Sequence, residues 1–165
     1  MKNIVLVGMP ASGKSTIGVI LAKVMGMDFL DADLVIQNSE KKRLVEIIEE
    51  KGVDGFLQVE EQALLSINPK SPTVIATGGS AVYSKAGMEY LKKDAVVIYL
   101  KVTLDELKKR LFNIKDRGVV LKDGQSLEDI YIEREKLYQK YHDFAVDETG
   151  KNVEDIVAEL EGLLL

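Results

Sequence analysis

The sequence predicts an α/β fold, a parallel sheet covered on both faces by helices. Three observations carry that prediction. Apolar runs at Ile4-Val5-Leu6-Val7, Thr73-Val74-Ile75-Ala76 and Ala95-Val96-Val97-Ile98-Tyr99-Leu100 show no polar alternation, as expected of strands buried on both faces. Segments with a three-to-four residue apolar period lie between them. Glycines or acids follow the runs at 4–7, 29–30 and 73–76, where parallel sheets place their ligands.

The first strand holds three β-branched residues in four. It runs into Gly8-Met9-Pro10-Ala11-Ser12-Gly13-Lys14-Ser15-Thr16, which fits the P-loop pattern G-x-x-x-x-G-K-[ST]. Ser15 and Thr16 open a helix carried by Ile17, Ile20, Leu21 and Val24 and stopped near Gly26. Phe29-Leu30 reads as a second strand ending in Asp31-Ala32-Asp33, and Leu34 to Gln37 begins a helix. Leu44 to Lys51 forms another, stopped by Gly52. Asp54 caps a further helix reaching about Ile67, with Phe56, Val59, Ala63 and Ile67 on one face, and Asn68-Pro69 ends it. The strand 73–76 is followed by Thr77-Gly78-Gly79-Ser80, then a helix near Lys85 to Lys92 and the strand at 95–100. Thr103 to Glu106 is a capping box for a helix on Leu104, Leu107 and Leu111. Periodicity vanishes from Phe112 to Gln125, as in functional lids. Ser126 caps a long helix with inward Leu127, Ile130, Tyr131, Leu137, Tyr138 and Tyr141. Ala145 to Asp147 is a weak strand, and Asn152 caps a last helix on Val153, Ile156, Val157 and Leu160.

Composition narrows the function classes. The 165 residues suffice for one domain with a real core and are short for two. A net charge of −5, with only the short basic triplets 41–43 and 108–110, argues against a nucleic-acid or membrane surface. There is no cysteine and a single histidine, His142, so disulfides, thiolate metal sites and histidine clusters are excluded. No apolar run reaches transmembrane length, and the first strand begins at once, which predicts no signal peptide and a cytoplasmic protein.

The P-loop points to phosphoryl transfer. Gly8 and Gly13 let successive N–H groups turn around an anion, and the helix opened by Ser15 adds its N-terminal dipole. Lys14 reaches the outer phosphates of ATP, and the Ser15 hydroxyl sits on Mg²⁺. Asp31 and Asp33, in D-x-D spacing on a strand end, would face the same side. Asp33 accepts a proton from, or orients, a substrate hydroxyl, and Asp31 holds a water of the magnesium shell. No acid follows Ala76, so the metal falls to Ser15 and Asp31, while Gly78 and Gly79 bring backbone close to a ligand. Arg134 sits on the buried stripe of its helix, seven residues after Leu127 and four before Tyr138. A charge there needs a partner, and a planar fork matches a substrate carboxylate. Arg117 is expected to close over the triphosphate, while Arg110 either stacks on an adenine or lies on the helix surface.

Together these motifs resemble shikimate kinases, small P-loop enzymes related to nucleoside monophosphate kinases. The resemblance runs from Ile4 to about Leu160. It rests on Gly8 to Thr16, Asp31 to Asp33, Phe56 to Glu60, Ala76 to Val82, Arg117, and Arg134 with Leu137-Tyr138 and Ala145. It implies a three-layer α/β/α P-loop kinase fold with a five-stranded parallel sheet. The single domain over 1–165 would have a mobile lid at about 112–125 and a substrate-binding region at about 33–62. It implies transfer of the ATP γ-phosphate to the 3-hydroxyl of shikimate by a monomer. Ala11, Ser12, Gly13, Lys14, Ser15, Thr16, Arg110 and Arg117 would then hold ATP, with Mg²⁺ on Ser15 and Asp31. Asp33, Gly78, Gly79 and Arg134 would hold the acceptor, and Lys14, Asp33 and Arg117 would carry the chemistry.

Three departures from the family pattern matter, one of them weakening the acceptor half at its most discriminating position. The family pattern Phe-Arg-x-x-Glu reads Phe56-Leu57-Gln58-Val59-Glu60 here, so Leu57 stands where a second carboxylate-binding arginine is expected, and Glu60 loses its usual partner. One lost fork is worth roughly 1.5–3 kcal/mol, or about tenfold to hundredfold in affinity. The usual triple glycine is Gly78-Gly79-Ser80, and Gly118 replaces the proline expected after Arg117. Two alternatives stay open: a kinase of this fold for another hydroxylated metabolite, and a nucleotide-binding module without catalysis.

Overall fold

The strands are β1 (Asn3–Val7), β2 (Asp28–Asp31), β3 (Thr73–Ala76), β4 (Ala95–Lys101) and β5 (Phe144–Asp147). In the computed structural model, which describes residues 1–111 and 124–165, they form one all-parallel sheet ordered β2-β3-β1-β4-β5. The described helices are α1 (Lys14–Met25), α2 (Ala32–Glu40), α3 (Leu44–Ser66), α4 (Lys85–Lys92), α5 (Leu104–Arg110), α6 (Leu127–Tyr141) and α7 (Val153–Leu164). The expected lid, and Arg117 within it, lies outside the described residues except for positions 124–125.

Strand alternation sorts the core into two faces. Ile4, Leu6, Val74, Ile98 and Leu100 pack under α1 and α7. Val5, Val7, Ile75, Val97 and Tyr99 pack on the opposite face with residues of α3, α4 and α6. A third cluster, Ile36, Ile47, Phe56 and Ala63, joins α2 to α3 beside the sheet. The result is the three-layer α/β/α arrangement expected from the sequence.

Three local expectations need correction. The buried face of α1 is Ile17, Gly18, Leu21 and Ala22, while Ile20 and Val24 are exposed. Gly18 explains the rotation: a Cβ there would come within 2.8 Å of the Phe29 ring, so the helix turns its small residues inward. The expected break at Gly52 is present: its φ of 72° and ψ of −179° are non-helical and separate two helical runs within α3. A short 3₁₀ turn, Ala81–Tyr83, follows the glycine pair and was not expected. Finally, β2 stops at Asp31, and Asp33 lies in the first turn of α2. The alternation argument for a shared face of Asp31 and Asp33 therefore fails. Asp31 is instead the N-cap of α2, its Oδ1 accepting from the Asp33 amide at 2.9 Å.

Candidate active site

The carboxyl ends of β1, β2 and β3 open onto one cleft of about 320 Å³, whose walls include Lys14, Asp33, Gly78, Gly79 and Arg134. Ala11, Gly13, Ser15 and Thr16 also line it. Ser12 is fully buried beneath, its amide donating to Met9 O at 3.1 Å. The β1–α1 turn is tight for a reason visible at Gly8: a Cβ there would meet Leu100 O at 2.8 Å. Gly13 (φ 84°) is the N-cap of α1 and leaves the first-turn amides of the helix facing the cleft.

Lys14 is folded back on its own loop. Its Nζ donates to Gly8 O at 2.7 Å and Met9 O at 2.8 Å, with Ser12 Oγ at 3.3 Å. Burial lowers its pKa to about 8, and the Arg134 charge acts in the same direction. Asp33, Glu148 and Asp31 oppose the fall. Across the cleft, burial and then the neighbouring Asp31 push Asp33 up to about 6, with Lys14 pulling the other way. Ser15 Oγ donates to Asp31 Oδ2 at 2.9 Å, so two hard oxygen donors from different elements meet at the cleft mouth.

Arg134 is 1% exposed, as its place on the apolar stripe of α6 requires. Its Nε donates to Tyr83 Oη at 3.3 Å, and its guanidinium lies 5.3 Å from the centroid of that ring. Gly79 separates it from the phosphate loop. A Cβ on Gly79 would sit 2.6 Å from Pro10 Cδ and 3.0 Å from Arg134 Nη1, and Tyr138 Oη donates to Gly79 O at 2.7 Å. A Cβ on Gly78 would come within 2.6 Å of Asp33 Oδ1 and 3.0 Å of Glu60 Oε2. Both glycines are there because side chains crowd the space a Cβ would need.

Glu60 is the residue that sequence reasoning undervalued. It is 2% exposed and accepts from Ser80 Oγ at 2.7 Å through Oε1. Burial raises its pKa to about 7, Asp33 adding to the rise and the Ser80 hydrogen bond and Arg134 reducing it. The signal was available: Glu60 follows Phe56 by four and precedes Leu64 by four, a charge on the inward face of α3 just as Arg134 is on α6. Leu57, one turn away, lines a small cleft with Glu60. Arg110, expected over an adenine or on the helix surface, is tied to Glu106, Glu148 and Ala11 O and lines a separate cleft of about 230 Å³. His142 caps the end of α6, Nδ1 lying 2.7 Å from Gln139 O, away from the cleft walls.

The family model of shikimate kinases matches residues 10–164. This chain belongs to the shikimate kinase family. It is 33% identical over 162 residues to the shikimate kinase of Thermodesulfovibrio yellowstonii, covering 97% of this chain and 93% of that one. It is 39% identical over 145 residues to one from Clostridium botulinum, covering 86% and 85%. Among solved structures, the shikimate kinase of Acinetobacter baumannii in complex with shikimate superposes with a TM-score of 0.90 at 28% identity, covering 99% of this chain and 93% of that one. The enzyme from Aquifex aeolicus gives 0.83 at 27%, covering 99% and 98%. As a member of the family, the chain is an ATP-using phosphotransferase with a hydroxyl acceptor. None of the described helices is long and apolar enough to cross a membrane.

Proposed function

We propose that the chain transfers the γ-phosphate of ATP to the 3-hydroxyl of shikimate. The observation that carries this reading is the order of groups across the cleft. A half-buried acid, Asp33, shares the cleft with a phosphate loop and a buried arginine, with two glycines letting a ligand approach the backbone. The family membership and the shikimate bound by the Acinetobacter enzyme support the choice of acceptor.

In this reading the amides from Ala11 to Thr16 hold the phosphates, and Lys14 exchanges its carbonyl partners for the outer ones. Ser15 and Asp31 are the oxygen donors that fit Mg²⁺, which supplies charge neutralisation of the phosphates when bound. Asp33, ionised at neutral pH with its pKa at about 6, orients the acceptor hydroxyl and takes its proton as the new P–O bond forms. Arg134 binds the acceptor's carboxylate. Arg117 remains a candidate for the triphosphate. A second reading, another hydroxylated acid as acceptor, draws on Glu60: a buried carboxyl stands near Arg134, where a second cation would strengthen anion binding. Steady-state ADP release with shikimate as acceptor tests the two. Saturation in the micromolar to low millimolar range is expected, the ordinary span of KM values. Turnover only with other hydroxy acids would overturn shikimate as the acceptor.

A further inference from the structure

The phosphate loop contains a residue in a conformation it does not favour. Ala11 has φ 66°, a left-handed backbone that glycine adopts freely and alanine resists. Such a residue persists only where its surroundings hold it. The Ala11 carbonyl accepts from Arg110 Nη1 at 3.1 Å. The guanidinium is itself fixed from two sides, by Glu106 Oε1 at 3.2 Å and Glu148 Oε1 at 3.4 Å. Glu148 is 6% exposed, and among the described residues its Oε2 has no hydrogen-bond partner. Its backbone is anchored at the rim of the sheet, its amide donating to Lys101 O and its carbonyl accepting from Lys151 N, both at 3.0 Å. A buried carboxylate needs compensation, and among the described residues Arg110 is its ion-pair partner.

We propose that Arg110 and Glu148 brace the phosphate loop: the far edge of the sheet, through β5, holds Ala11 in its left-handed state and presets the loop for nucleotide. Arg110 and Glu148 are positioning residues in this scheme. The consequence for nucleotide affinity rests on the nucleotide-binding reading above, but the brace itself is a property of the ligand-free chain. The hydrogen bonds at Nε and Nη1 lie in the guanidinium plane and leave its face open, so the brace is compatible with base stacking by Arg110.

Two measurements on the full chain separate the brace from that reading. The first is amide hydrogen exchange without ligand, at the Ser12 amide that bonds Met9 O. Glu148→Ala should accelerate it at least tenfold, and the isosteric Glu148→Gln, which keeps a neutral acceptor for Arg110, by less. Exchange within twofold of the parent chain in both variants overturns the brace, whatever ADP does. The second is calorimetric titration with ADP and Mg²⁺. Glu148→Ala should weaken ADP binding about fivefold to twentyfold, and adding Ala11→Gly should recover at least threefold, because glycine needs no holding. A loss that Ala11→Gly leaves untouched would mean that Glu148 contacts the nucleotide directly, and would overturn the brace as the cause. Failure of the parent chain to bind ADP would instead overturn the nucleotide-binding reading, with the exchange result still deciding the brace.

Discussion

The donor side of the cleft is nine consecutive residues, Gly8 to Thr16, offering mostly backbone. In the proposed reading the acceptor side is Asp33, Gly78, Gly79 and Arg134, with Glu60 beside Gly78, drawn from α2, α3, the β3 loop and α6 and relying on charged side chains. Backbone amides and a helix terminus bind phosphate whatever is attached to it, so the donor side fits any chain that handles nucleotides. Buried charges in fixed positions reject wrong partners, because each one left unpaired is costly. Generality on one side and selectivity on the other follow from those materials.

The sharpest test of this division is Asp33→Asn. It should lower kcat by about 10²–10⁴, the ordinary contribution of a positioned proton acceptor, while calorimetry still detects ADP binding. A kcat within tenfold of the parent enzyme would remove Asp33 from the chemistry. Gly79→Ala should blur the division, because its Cβ would press on Pro10 of the loop and on Arg134 at once. Both ATP and acceptor KM should rise, each by about tenfold, of the size that overpacking by one methyl produces. A change in only one of them would show that the wall is not shared.

Leu57→Arg should strengthen the acceptor side alone. A cation one turn from Glu60 is expected to lower the shikimate KM about tenfold, the lower end of the value of one charged hydrogen bond. An unchanged KM measured by ADP release would leave the second acceptor reading ahead.

The smallest effect is on stability. Glu60 keeps its proton up to about pH 7 in the folded chain but only to its ordinary 4.5 when unfolded. Its contribution is therefore complete below pH 4.5 and is lost as pH rises from 4.5 to 7, on the order of 1–3 kcal/mol. Asp33, raised from 3.8 to about 6, acts in the same direction at slightly lower pH. Glu60→Gln removes the larger share. Its melting temperature should fall less between pH 5 and 8 than that of the parent chain, by several degrees for a chain of this size. Equal falls would show that Glu60 does not titrate as its burial implies.

The donor side was readable because a P-loop is contiguous and its chemistry is written in residue spacing. Arg134 was readable because a charge interrupts an apolar stripe. Glu60 carries the same signal on α3, but nothing in the sequence shows Ser80 Oγ, from the loop after β3, meeting it. Asp33 lies at the expected edge for a different reason: the chain turns helical two residues earlier than alternation assumes, because Asp31 caps the helix. The Arg110, Glu148 and Ala11 contacts join positions 99 and 38 residues apart, a relation that no local pattern encodes.

The folded-back posture of Lys14 has a consequence for turnover. Its ammonium is hydrogen-bonded to Gly8 O and Met9 O, partners that the proposed reading has it exchange for phosphate oxygens. Grasping a phosphate is therefore a change of partners rather than a net gain of them, which tempers affinity. The same alternative partners receive the lysine when ADP departs, so the leaving nucleotide does not strand a desolvated cation. An enzyme that must empty itself after every cycle is served by a grip with somewhere else to go.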